Sequence, residues 1–311
     1  MENLTISLES LANLSHKLTV AESTFLTSSD MSIKYEISYK IIDKLSNIIT
    51  ELTLSDDDLS KHSSTLRYIL ETLITSDLLL KEEDYFLKLY YSIYVQQVNK
   101  TKAMLTRLKN EISVLKEYAT SYKTEIASLE EKYASNPILL DIKSEEIFQA
   151  YKKTLQNDIY IFLNQLEEYG FDFLLEQLEN VILPQYIKKV EEYINLKEEK
   201  AKELMSNEYF QKYFSVGHQY SKVFKLLKDK RSWSQKAEAV GLNEEYKINY
   251  ETTSSLLHFT SYSFLTTNTI DQEEKEYNYM VINQYVKKIC TNISALSKAM
   301  LLDIFNLIHI K

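Results

Sequence analysis

The chain has 311 residues, 44% of them hydrophobic, and a formal charge of −9. Three glycines and two prolines are too few for the turns of a sheet-rich fold. The negative balance argues against a protein that coats nucleic acid along its whole surface, while leaving room for a local basic patch.

One cysteine, Cys290, excludes an internal disulfide and a cysteine-based zinc site, as expected of a protein in the reducing cytoplasm. Glu2 stands where a secretory signal would be basic, and no run approaches the ~18 apolar residues of a membrane span. The nearest, residues 299–310, carries Asp303 and reads as a core-facing terminal helix.

Taken in order, Ile6–Leu18 reads as a short helix. Ile37, Ile41, Leu45, Ile48, Ile49 and Leu52 have helical spacing. Ser55-Asp56-Asp57-Asp58 reads as a stop and a new start, with a serine cap and acids in the first turn. The helix that follows carries Leu66, Ile69, Leu70 and Leu73, and places Arg67 and Glu71 one turn apart.

A long helix starts near Glu83 with the aromatic run Tyr85, Phe86, Tyr90, Tyr91 and Tyr94, which reads as core. It continues as a heptad through Leu105, Leu108, Ile112, Leu115, Tyr122, Ile126 and Leu129. Arg107, Lys109, Glu111, Lys116 and Glu117 between them read as a solvated surface of mixed sign.

Asn136-Pro137 stops that helix. Ser144–Tyr169 reads as one helix capped by Gly170, and Phe171–Met205 as another that is kinked or broken at Pro184. The apolar run Tyr209–Leu227 follows.

Residues 221–236 hold Lys225, Lys228, Lys230 and Arg231 beside Trp233. These are the ingredients of a patch that contacts phosphates and stacks bases, or of a solvated helix face with Trp233 in the core. Ser232 or Ser234 can cap a short helix ending near Gly241, and Tyr246–Thr267 carries His258. Asp271 starts the last long helix.

The glycines are too sparse for a phosphate-binding loop, a dinucleotide fingerprint or a serine-hydrolase elbow. No Glu-x-x-His occurs, so a di-iron bundle lacks its signature. Asp58 and His62 share a helix face and are the one metal-like pair, but capping explains the acids there, and neither metal nor cofactor is expected.

Two patterns carry a resemblance: Arg67-Tyr68-Ile69-Leu70-Glu71, and Trp233-Ser234 followed by Ala237-Glu238, Gly241-Leu242, Tyr250, Ser254 and His258. Together they resemble the bacterial domain of unknown function numbered fifty-six seventy-seven, over residues 40–110 and 215–300. That helical family is compared with HEPN bundles, which include RNA-cleaving toxins and phage-defence proteins.

The HEPN nuclease signature places an Arg a few residues before a His. This chain lacks that spacing, so the resemblance implies a site only if Arg67 meets His258 across the bundle. In that reading His258 is the acid and base, Arg67 holds the phosphate, Glu71 orients, and Tyr250 and Ser254 hydrogen-bond. In the other, Arg67 and Glu71 are an intrahelical pair and His258 a core histidine.

The expected architecture is all-α. Residues 1–97 and 206–311 form the halves of a helical bundle, and 98–205 a protruding, coiled-coil-like helical arm between them. The resemblance implies a defence or stress protein with metal-independent RNA cleavage. The alternative is a non-catalytic scaffold whose arm binds a protein partner. A homodimer is expected either way, because the heptad face needs burial, and no membrane association is expected.

Overall fold

Helices supply every regular element that the computed structural model describes, which covers residues 2–20, 22, 29–54, 57–205, 227–257 and 269–309. They are α1 (Glu2–Val20), α2 (Ser29–Leu54), α3 (Leu59–Lys81), α4 (Tyr85–Lys132), α5 (Pro137–Leu155), α6 (Leu163–Gln177), α7 (Leu183–Met205), α8 (Trp233–Val240), α9 (Asn243–Leu257) and α10 (Gln272–His309). The chain divides into two compact units, residues 1–92 with 202–311 and residues 93–201. The sequence-based divisions at 97/98 and 205/206 lie about a turn away from these.

In the first unit α3 is the central helix. It packs against α2, α8, α9 and α10, while α1 lies on α2 and α10. The reason is its sequence: Ile69, Leu70, Leu73, Ile74 and Leu78 are all at most 1% exposed, so α3 is apolar over most of its circumference and needs neighbours on several sides. Ile282, Val286, Ile289 and Ile293 of α10 and Leu45, Ile49 and Leu52 of α2 belong to the same core.

The start of α3 is capped by Asp58, whose carboxylate accepts from the Lys61 N–H at 3.1 Å and the Ser60 hydroxyl at 2.8 Å. The serine suggested for this role, Ser55, is outside the described residues. The Asp57 carbonyl accepts from the Ile270 N–H at 3.2 Å, Asp58 and Thr269 form an isolated bridge, and Lys275 reaches the Asp57 carboxylate at 3.1 Å. Further along, the His62 and Tyr279 rings lie 5.4 Å apart, and Ser76 and Asp77 meet Asn292. Contacts that climb together in both helices mean that α3 and α10 run parallel.

The second unit is a helical hairpin with a third layer. Leu108, Ile112, Leu115 and Ala119 of α4 are buried with Leu155, Ile159, Leu166, Phe171, Leu174 and Leu178. Tyr122 packs its ring against Phe148, Tyr151 and Phe171 at centroid distances of 5.2–6.0 Å. The heptad face that was expected to need a second copy of the chain is therefore largely covered by the chain's own helices.

One local expectation changes and two take a specific form. Ser144–Tyr169 is not one helix: residues 156–162 interrupt it, with turn-forming Asn157 and Asp158 at the break. Leu155, Ile159 and Leu166 keep their helical spacing across the gap because all three face one core. Gly170 does end a helical run: at φ 72°, ψ 177° it is non-helical and separates two helical stretches of α6 across a kink, a conformation that costs a side chain but not glycine.

The distortion expected at Pro184 takes the form of a π-type turn, Leu178–Ile182, just upstream, and because the backbone is helical at both ends of that turn the helix is rewound there rather than broken.

Candidate functional site

Helix α9 positions the aromatic half of the site. Tyr246 and Tyr250 are one turn apart, so they share a face, and their rings stack at 5.6 Å and 25°. Tyr246 is 8% exposed and Tyr250 40%. Helix α3 supplies the charged half: Arg67 Nε donates to Glu71 Oε1 at 3.1 Å. The Arg67 guanidinium lies over the Tyr250 ring at 5.3 Å from its centroid. The two i,i+4 pairs thus meet across the α3–α9 contact.

Arg67 and Glu71 are partly open to solvent, at 31% and 21% side-chain exposure. Among the described residues the Arg67 guanidinium makes no hydrogen bond besides the one through Nε, so its terminal nitrogens are available as donors. Burial, then the Glu71 carboxylate, raises the Tyr246 hydroxyl above its ordinary range, with Arg67 opposing. Tyr246 therefore stays neutral. The arrangement is a cation held over an aromatic shelf by one carboxylate, which suits binding a planar anion or a phosphate.

His258, the acid–base residue of the sequence reading, lies outside the described residues. Ser254 falls on α9, but its side chain is outside the described set too. Arg67, Glu71 and Tyr250 are the predicted site residues that the structure brings together.

The predicted nucleic-acid-binding segment has a different character. Lys225 is outside the described residues, and Lys228 and Lys230 are exposed. Arg231 is committed to two carboxylates. It pairs with Glu82 through both terminal nitrogens and with Asp229 through Nε at 3.0 Å and Nη2 at 3.1 Å. It also lies over the Tyr85 ring, and Lys236 joins Asp229 at 3.4 Å.

Burial alone would raise the Asp229 carboxyl, but hydrogen bonds from Arg231 and the nearby cations override it and hold it below the usual range. Trp233, half-buried, stacks under Lys236 at 4.8 Å, and Ser232 and Gln235 cap α8 reciprocally. The segment that reads as a phosphate patch is in large part an ion-pair joint between α8 and the α3–α4 turn.

Asp58 and His62 form no metal pair. The Asp58 carboxylate caps α3, while the fully buried His62 ring packs on Tyr279. The described residues hold no group of three or more metal-ligating His, Cys, Asp or Glu side chains. The partly buried Cys290 thiol is pushed up to about 11 by desolvation, which keeps it a weak nucleophile.

Sequence reasoning missed a buried polar cluster between α3 and α10. Asn292 donates to the Ser76 hydroxyl at 2.9 Å and to Asp77 at 2.8 Å, and Lys288 reaches the other Asp77 oxygen at 3.2 Å. The available signal was polarity on an apolar stripe: Ser76-Asp77 interrupts Ile74 and Leu78, and Asn292 lies three residues after Ile289.

Asn292→Leu removes both donors and leaves the Asp77 carboxylate without its amide. We expect a loss of about 2 kcal/mol, read from urea unfolding, with less than about 0.5 kcal/mol excluding this bonding.

Comparison with protein-family models, curated proteins and solved structures finds no match to this chain.

Proposed function

We propose that the chain is a HEPN-like helical protein of a defence or stress response that binds single-stranded RNA on the Arg67–Tyr250 shelf. Arg67 takes a backbone phosphate, Glu71 holds the guanidinium in place, and the Tyr246–Tyr250 stack offers a ring to a base. His258 is the acid–base residue. It accepts the proton of a ribose 2′-hydroxyl as that oxygen attacks phosphorus, and returns one to the leaving 5′ oxygen, so no metal is needed.

The observation that carries this reading is the partly exposed guanidinium with free terminal donors, stacked on a partly exposed tyrosine. The exposed Lys228 and Lys230 add local positive charge to an otherwise acidic protein.

The test is fluorescence anisotropy of a short labelled single-stranded RNA across a salt series, with gel analysis for cleavage. Arg67→Gln should weaken binding about tenfold and flatten the salt slope by about one. His258→Ala should bind as tightly as wild type but stop cleavage. A wild-type protein that neither binds nor cuts RNA ends this reading.

A second reading, a scaffold that engages a protein partner through residues 98–205, rests on another observation. In the second unit Tyr169 and Phe173 are nearly half exposed and line a hollow of about 380 Å³ with Phe162, Leu174 and Ile182. The same assays separate the two: RNA left unbound and intact, with His258→Ala altering only the melting temperature, favours the scaffold. A homodimer now rests on this surface rather than on the covered heptad face. Light scattering at the monomer mass would remove it.

A further inference from the structure

Between α3, α9 and α10 lies a cleft of about 190 Å³ that the RNA reading does not use. Glu245 of α9 and Glu274 of α10 line it from facing helices, and the described lining residues include no Lys, Arg or His. Neither carboxylate has an ion-pair partner among the described residues. Leu66, Ile248 and Val281 supply apolar wall, and Tyr277 and Tyr285 supply ring surface.

Most polar groups of the cleft are satisfied from within. Asn249 donates to the Glu245 carbonyl at 2.8 Å, and the Thr253 hydroxyl to the Asn249 carbonyl at 2.7 Å. Asn278 is different. Its side chain lines the cleft, the residue is only 9% exposed, and it has no hydrogen-bond partner among the described residues. An amide so enclosed and without a protein partner keeps its hydrogen-bonding groups available to a ligand in the cleft.

The geometry points to a binding site for a small aliphatic ammonium ion. Two unpaired carboxylates attract the charge, the Asn278 carbonyl oxygen accepts an N–H, and the apolar wall takes the alkyl chain. Tyrosine faces add to the attraction for a cation. The space equals about six water molecules by liquid volume, close to a short diamine such as putrescine. A hard divalent ion fits less well, because it wants six or more oxygens and a wet shell rather than aliphatic wall.

The test is calorimetric titration of the full-length protein with putrescine, beside Nα-acetyl-lysine N-methylamide, whose side-chain ammonium is free, as a stand-in for a protein lysine. Saturable binding of either supports the site, and the tighter of the two tells free amine from lysyl side chain. Glu274→Gln, at an exposed position in the first turn of α10, should weaken binding at least about fivefold without disturbing the fold.

Asn278→Leu should weaken binding while leaving the melting temperature unchanged or raised, since no protein partner is lost. An amide with a purely structural role would lower it. Three results overturn the proposal: no saturable heat with either amine at millimolar concentration, unchanged binding in Glu274→Gln with Glu245→Gln, or the same response to magnesium chloride at matched ionic strength. RNA binding could stand or fall without touching these outcomes.

Discussion

Replacing Glu111 with Ala should cost the second unit about 3 kcal/mol, the largest effect expected from a single polar side chain here. Glu111 is 4% exposed, although its neighbours on α4 are charged and its place in the sequence reads as solvated surface. Its carboxylate accepts from the Ile161 N–H at 3.1 Å and, more weakly, from the Tyr160 N–H at 3.4 Å. Arg107 Nε donates to it at 3.2 Å.

Those two amides lie just ahead of α6, whose own cap residue, Phe162, has no side chain that can accept. Glu111 thus pins the connection that leads into α6 by its loop amides, rather than accepting from the first-turn amides as a local Ser, Asp or Asn cap would. With Ala, two part-buried amides lose a charged acceptor, while Arg107, half exposed, simply rehydrates.

Glu111→Gln keeps the shape and one acceptor oxygen but no charge, so about half the loss should remain. Urea unfolding reads the magnitude, and faster amide exchange at Tyr160 and Ile161 reads the cause. A loss below about 0.5 kcal/mol would mean the two amides find other acceptors.

Arg231→Ala should destabilise the first unit by about 2 kcal/mol, below the range for fully buried pairs because Arg231 and Glu82 keep 28% and 27% side-chain exposure. The substitution leaves Glu82 and the 10%-exposed Asp229 facing the vacated space, with only Lys236 and the more distant Lys88 to offset them. Arg231→Lys should recover part of the loss but not the forked contact to two carboxylates.

The pH dependence gives the sharper check. In the wild type Asp229 titrates below its ordinary value of 3.8, so its contribution is complete above that value and disappears as pH falls through the lowered one. Without Arg231, burial is the dominant influence and the Asp229 carboxyl titrates higher. The two proteins should therefore differ most near neutral pH and converge in acid. A gap that stays constant down to pH 3 would mean that Arg231 acts through packing on Tyr85 rather than through charge.

What the sequence reveals follows from distance along the chain. Helical spacing exposes α2, α3, α4 and α10, because a core face repeats every few residues. The Arg67–Glu71 and Tyr246–Tyr250 pairs are each one turn apart, so each is legible alone. That they meet is tertiary, and only the resemblance anticipated Arg67 with Tyr250.

Glu111 and Arg231 were misread for one reason. Charge on a helix or in a basic run looks solvated until the carboxylate, cation or open amide that faces it is known, and those partners lie far off in the chain. The break at 156–162 was hidden by the opposite effect, since its buried residues keep step with a helix that is not there.

The parallel run of α3 and α10 brings two helix beginnings side by side. Peptide dipoles aligned in the same sense repel, and their adjoining positive ends concentrate partial charge in one place. Asp57, Asp58 and Asp271 gather there, with Asp58 and Asp271 each accepting a backbone amide of its own helix. Hydrogen bonds from Ser60 and the Lys61 amide hold the Asp58 carboxyl below its usual range, so its negative charge outlasts moderate acidity. The acids that resembled half a metal site are the counter-charge that lets two like-directed helices lie against each other.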